Sequence, residues 1–315
     1  MKNKEWWDNV LYYIILGACR FLAFFPFCFL YILSDILFLV VYYLIGYRRS
    51  VVRDNLCQSF PQKTKKEILG IEKKFYHFFC DYIVETIKVA SISSTNIQKH
   101  MRFMEVEKME KVLLEDGYDF IFLYLGHYCN WEWVASLPYS LSSQIHCAQI
   151  YHPLYNKAMD RFFLRLRNQY GGECVPMKNT LRRVMQLRQE KRPTIIGFIS
   201  DQLPKVESMH LFVPFLNHPE TAVFTGGEQM GKRMKVAYYF ADIKRPRRGY
   251  YEVNFIRMHN DELAESAEYP MTILFMRMLE QMIVRAPQYW LWTHKRWKRT
   301  KEDWLKWNKQ RQTKL

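Results

Sequence analysis

Two kinds of hydrophobic pattern divide the chain. Residues 10–47, "VLYYIILGACRFLAFFPFCFLYILSDILFLVVYYLIGY", form a nearly unbroken apolar run in which only Arg20 and Asp35 carry charge. Bulky Phe, Leu, Ile and Tyr cover every helical face, the pattern of a segment that meets lipid. Pro26 breaks the run. The half before it falls short of the ~20 residues a span needs. The half from 27 to 46 is about long enough, but Asp35 then lies near its middle, where a charge costs roughly 2.5–3.5 kcal/mol. One tilted span and a half-inserted helical pair both fit, against the alternative of a core helix pair in a soluble protein. A cleaved signal is shorter and ends in small residues, so the run reads as retained. Lys2 and Lys4 precede it, and Arg48, Arg49 and Arg53 follow it. The stronger cluster after the run puts the bulk of the protein on the cytoplasmic side.

Beyond residue 47 the pattern shortens. Residues 62–90 place Ile68, Ile71, Phe75, Phe78, Phe79, Tyr82, Ile83 and Ile87 at helical spacing. "DFIFLYLG" (119–126), "IHCAQIY" (145–151) and "PTIIGFIS" (193–200) are short continuous apolar runs, the mark of buried strands. "KVAYYFADIK" (235–244) and "GYYEVNFIRM" (249–258) are strands around the turn "RPRRG". Helices are expected from "WEWVASLPYSL", capped by Asn130, and over 155–169, 178–190 and 262–285. Strands alternating with helices predict an α/β fold with a mainly parallel sheet flanked by helices. The expected organisation is an anchoring segment over 1–47, a catalytic domain over 48–300 and a basic aromatic tail over 301–315.

Charge and cysteines narrow the function. A formal net charge of +15 attracts phosphates: nucleic acid, anionic lipid headgroups, or a small acidic protein. No zinc finger, RNP motif or basic heptad region is present, so nucleic acid is not the expected partner. The seven cysteines are scattered without a CxxC pair, which fits a reducing compartment.

The chemistry concentrates in "YLGHYCNWEW" (124–133). Residues five apart on one helix point about 140° away from each other. His127 and Glu132 therefore pair only if His127 sits in a strand-to-helix turn, opened by Gly126, and Glu132 in the first helical turn. A carboxylate at a helix N-terminus stays ionised. It can hold one imidazole nitrogen as N–H and leave the other as a general base. A structural His–Glu pair satisfies the same spacing. No second histidine falls at helical ligand spacing, so neither metal nor cofactor is called for. Cys129, inside the motif, reads as a small neutral filler or as a nucleophile.

"GHYCNWE" is similar to the His-four-residue-acid motif of the glycerolipid and lipid A acyltransferases. The wider chain resembles the late lipid A acyltransferases, the lauroyl and myristoyl transferases of lipopolysaccharide synthesis. The resemblance rests on motifs in one order: "YRRSVVRDNL" (47–56) followed by "SFP", "YHPLYNKAMDRFFLRLRNQYG" (151–171), Asp201-Gln202, "LFVPFLNHPETA" (211–222) and "APQYWLWTHKRWKRT" (286–300). In the second, His152 stands where the family has Arg, while Asp160 and Arg167 keep the spacing. Asn217-His218 replace a usual glycine stretch, and the Glu of Pro-Glu-Gln is absent.

The resemblance implies transfer of a fatty acyl group from a thioester, usually acyl carrier protein, to a hydroxyl of a lipid A precursor at the bacterial inner membrane. A phospholipid or aminolipid acceptor is the alternative that His152 leaves open, and a non-catalytic lipid-binding protein is a further one. His127 is the expected general base, oriented by Glu132, with Arg167 on the oxyanion or a phosphate. Asn130, Trp131, Asp160, Asp201, Gln202, Arg48 and Arg49 are the expected substrate-binding residues. The tail "HKRWKRTKEDWLKW" (294–307) mixes Trp with Lys and Arg, as interfacial helices do.

Overall fold

The computed structural model describes residues 2–259 and 267–312. The chain opens with α1 (Lys2–Phe24) and, after Pro26, α2 (Phe27–Phe38). α2 continues through a wider, π-helical segment (Leu39–Ile45) and stops at Gly46, whose φ of 64° lies in the left-handed region. Together Phe27–Ile45 are 19 residues, long and apolar enough to cross a membrane. α3 (Arg49–Ser59) follows, then α4 (Lys65–Lys88). A capping box starts α4: Thr64 Oγ1 accepts from the Glu67 amide and the Glu67 carboxylate accepts from the Thr64 amide.

The body then alternates α5 (Ser94–His100), β1 (Met101–Met104), α6 (Val106–Leu114), β2 (Phe120–Leu125), a 3-10 turn over Trp133–Ser140 and β3 (His146–Tyr151). Next come α7 (Lys157–Asn168), β4 (Glu173–Pro176), α8 (Thr180–Gln189), β5 (Thr194–Ile199), β6 (Leu211–Phe215), β7 (His218–Val223) and α9 (Gly226–Gly231). β8 (Val236–Arg247), β9 (Tyr250–Arg257), α10 (Pro270–Arg285) and α11 (Lys301–Gln312) complete the described chain. Residues 262–266 of the expected last long helix lie outside the described residues. The helix expected after Glu132 is instead the tighter 3-10 turn, with Pro138 inside it. Proline removes the donor an α-helix needs at that point.

The main sheet has seven strands in the order β1-β9-β8-β2-β5-β3-β4. All neighbours are parallel except the β8–β9 hairpin. All six residues of the central strand β2 are buried, as a strand covered by helices on both faces requires. β6 and β7 form a separate antiparallel ribbon.

α2 lies along α4 through paired polar groups. Tyr31 donates to Glu85 (3.0 Å), Ser34 to Asp81 (2.7 Å) and Tyr42 to Glu72 (2.9 Å). Asp35, the charge that seemed misplaced in an apolar run, accepts from Arg248 at 2.6 Å. Arg248 also binds Asp81, which Arg245 holds as well at 2.6 Å. The opposite side of the two N-terminal helices is apolar and exposed, with Phe21, Phe24, Phe29, Ile32, Ile36 and Leu44 outermost.

Candidate active site

The site forms where two parallel strands end side by side. Leu125 of β2 is in register with Ile199 of β5. His127 and Asp201 each follow that pair by two residues, so strand pairing alone brings them together. The carboxyl ends of such strands are where an α/β sheet presents its functional groups. His127 Nδ1 and Asp201 Oδ1 are 2.6 Å apart, and the His127 amide donates to Asp201 Oδ2 at 3.0 Å. Gly126 lets the loop pass close to α10: a Cβ there would stand 2.7 Å from Leu279 Cδ1, so that side chain would have to shift to admit a larger residue.

A third donor comes from far along the chain. Trp290 Nε1 donates to Asp201 Oδ2 at 2.8 Å. Its segment lies antiparallel to the loop after β2, with Leu291 N donating to His127 O (3.0 Å) and Cys129 N to Tyr289 O (2.9 Å). Asn55 of α3 clamps the continuation, donating to the carbonyls of Trp292 and His294. Burial drives the Asp201 carboxyl upward, but His127 and the Trp290 N–H outweigh it and hold Asp201 down at about 2. Asp201 is therefore ionised and accepts only. His127 Nδ1 then carries the proton, and Nε2 is left as the acceptor. The His127 side chain is 19% exposed, so Nε2 is within reach of a substrate. The Gln202 amide lies 3.3 Å from Nε2. His294, next to this group, accepts from the Leu203 amide at 3.3 Å. Burial and the nearby Arg296 cation lower it to about 4, which keeps it neutral.

The partner of Glu132 differs from the expected one. Glu132 makes no hydrogen bond to His127; it receives Arg167 Nε at 2.8 Å and Nη2 at 2.6 Å. The loop after Gly126 is not a regular helix: Cys129 takes a left-handed φ of 52°, which turns Glu132 toward α7 and away from the imidazole. Arg167 is correspondingly tied to a carboxylate and is not a free cation over the site. Trp131, the neighbour of Glu132 in the chain, packs against the imidazole. Its ring meets His127 edge-on at 5.1 Å and stacks on Tyr82 at 4.2 Å. Asn130 is fully buried. Its Oδ1 accepts from the Trp133 amide, as a cap does, and its Nδ2 donates to Glu85 at 2.8 Å. Burial pushes the Glu85 carboxyl up to about 7, against the pull of Arg245, Tyr251 and Asn130.

The remaining expected residues lie apart from this group. Asp160 accepts from the Leu154 amide (2.8 Å) and fixes the turn into α7. Arg48 donates to the Thr293 carbonyl at 2.9 Å. Arg49 folds back over the Tyr42 ring and toward the buried Glu72. Neither arginine is bonded to His127 or Asp201. His152 is exposed, with Nδ1 2.9 Å from the carbonyl of Pro153. Cys129 is fully buried and burial raises its thiol well above the usual range, which suits a filler and not a nucleophile. The tail is only partly superficial. Arg296 is fully buried and donates to the Ala222 carbonyl. Burial lowers its guanidinium to about 10.

Asn55, Trp290 and Glu85, which are hydrogen-bonded to Asp201, to the loop after β2 or to the segment beside it, are not among the residues expected from the sequence. Asn55 and Trp290 lie inside motifs quoted above, "YRRSVVRDNL" and "APQYWLW"; Glu85 carried no local signal. In comparisons with known proteins, the family model for bacterial lipid A biosynthesis acyltransferase matches residues 3–299. A comparison with curated proteins returns no match.

Proposed function

Because this chain belongs to the bacterial lipid A biosynthesis acyltransferase family and is therefore an acyltransferase, we propose that it moves a fatty acyl chain from an acyl carrier protein thioester to a hydroxyl of a lipid A precursor, with His127 as general base. The observation that carries this reading is the 2.6 Å contact between His127 Nδ1 and the ionised Asp201. It fixes the tautomer that leaves Nε2 basic.

The acceptor hydroxyl gives its proton to His127 Nε2 as its oxygen attacks the thioester carbonyl. Asp201 stabilises the imidazolium that results. The tetrahedral intermediate collapses with loss of the donor thiolate, and Nε2 returns the proton to that sulfur. Glu132 and Arg167 act as a neutral locked pair that holds α7 against the catalytic loop, a positioning role. The positive balance of the chain supports docking of an acidic carrier protein.

The N-terminal helices lie on the membrane in this reading. α2 is long enough to span, but its inner face carries Tyr31, Ser34, Asp35 and Tyr42 bonded to the catalytic body. Turning that helix into a bilayer would separate those pairs in hydrocarbon. An apolar outer face with a polar inner face fits a helix pair half-sunk in the interface. Arg48, Arg49 and Arg53 after the run support the cytoplasmic face of the inner membrane.

The test is acyl transfer by purified protein from acyl carrier protein thioester to lipid A precursor, followed by mass spectrometry. Acylated precursor is expected from the unaltered protein and almost none from His127→Ala. Equal product from both would sink the mechanism, and acylation of a phospholipid in its place would move the acceptor.

A further inference from the structure

Arg20 is the one charge between Tyr12 and Phe24 on α1, and the body of the protein does not answer it. Asp35, its counterpart on α2, is paired with Arg248. The Arg20 side chain has no hydrogen bond, ion pair or ring contact among the described residues. It lies at the edge of the exposed apolar face that includes Tyr13, Phe21 and Phe24. An arginine left alone beside lipid is costly unless it meets water or phosphate.

A cavity of about 340 Å³ opens beside it, between α1, the turn after α4 and the second half of α7. Leu16 and Leu166, both buried, line its apolar side, and Arg20, Arg165 and Asn168 its polar side. Arg165 is nearly as uncommitted as Arg20, since Nη1 reaches only the Tyr12 hydroxyl at 3.5 Å. No carboxylate lines the cavity. Further along α7, Arg161 is engaged by Asn9 and the Tyr12 ring, and Arg167 by Glu132. So of the three arginines on this helix, the one at the cavity lacks a firm partner.

We propose that this cavity binds the phosphate of a membrane lipid headgroup, clasped by the guanidinium groups of Arg20 and Arg165. Guanidinium groups match phosphate with paired donors. The volume lies within the usual range for small-molecule sites, and the neighbouring apolar face of α1 receives the acyl chains. This rests on the reading that α1 and α2 lie in the interface. The phosphate belongs either to a bilayer phospholipid or to the acceptor itself, and the two sources are separable.

The experiment measures partition of the full chain onto phosphatidylcholine vesicles with and without phosphatidylglycerol. Arg20→Gln and Arg165→Gln are each expected to weaken binding to the phosphatidylglycerol vesicles roughly fivefold. Arg182→Gln, on the exposed face of α8, serves as the equal-charge control and is expected to lose less. Arg20→Lys is expected to recover under half of the loss, because lysine keeps the charge without the paired donors. Full recovery by lysine, or a loss in Arg182→Gln as large as in Arg20→Gln, overturns the site in favour of diffuse attraction. Saturation by millimolar inorganic phosphate with no preference between vesicles overturns the lipid assignment. A protein that binds neither vesicle overturns the interfacial reading, whereas one that binds but ignores both arginine changes overturns the cavity alone. For the source, acyl transfer in neutral detergent is read in Arg20→Gln. A raised KM for the acceptor with kcat kept assigns the acceptor's phosphate, and an unmoved KM assigns a bilayer lipid.

Discussion

Two buried carboxylates, Asp201 and Glu132, serve opposite ends. Asp201 faces three N–H groups, one of them on an imidazole that can gain and lose a proton. Glu132 faces a guanidinium that stays charged, and gives it both oxygens. The first pairing leaves a basic nitrogen available; the second cancels two charges and pins α7. Sequence spacing suggested the reverse, since Glu132 is the acid close to His127 in the chain and Asp201 is 74 residues away.

The contrast breaks first at His127. His127→Ala is expected to lower kcat/KM by ~10²–10⁴-fold, with a lower melting midpoint as well, because the buried Asp201 carboxylate loses its imidazole partner. Asp201→Asn comes next, at ~10²-fold or more. In the double variant the second loss should nearly vanish, because both act through one nitrogen. Additive losses would mean that Asp201 works on something other than His127.

Acid unfolding sharpens the same point. Asp201 is held at about 2 in the folded chain, below the ~3.9 of an unfolded aspartate. Its contribution, on the order of 2–3 kcal/mol, is fully present above pH ~4 and is lost as pH falls toward 2. The unaltered protein should therefore lose stability more steeply than Asp201→Asn between pH 5 and 2. Parallel curves from urea titrations at each pH would refute the depressed carboxyl.

Glu132→Gln and Arg167→Lys should behave differently from the His127 pair. Each leaves a mostly buried partner poorly satisfied, so stability drops by about 1–3 kcal/mol alongside activity. Calorimetry of the single and double variants gives the coupling, and a double variant that sums the two singles would deny the lock. The smallest effect belongs to Cys129→Ala, expected to keep most activity. An acylated Cys129 peptide that turns over on adding acceptor would reverse that.

The parallel sheet was legible because its strands are continuous apolar runs cut by clear breaks, as "FIFLYL" is. The short strands β1 and β4 were not, since four residues carry too little periodicity. The site was half legible. The Gly126-His127 turn and Asp201-Gln202 each stand out after a strand, but which acid meets the histidine depends on strand order, which no local pattern carries. Trp290 and Asn55 are further from view, because their roles exist only once the chain's end lies antiparallel to the loop after β2. The polar residues of α2 looked like flaws in a span because their partners on α4 and β8–β9 are remote in sequence.

Those partners bear on how the protein is handled. Removing residues 1–47 to obtain a soluble enzyme takes away Tyr31, Ser34, Asp35 and Tyr42 together. What stays behind is a row of acids on α4 stripped of those partners, Glu72 beside Arg53 and Asp81 and Glu85 beside Arg245. Asn130 hangs on one of those acids, so the damage runs to the catalytic loop. The truncated chain is expected to aggregate or to purify inactive, and detergent that covers the outer face of an intact α1–α2 pair is the better route to a working preparation.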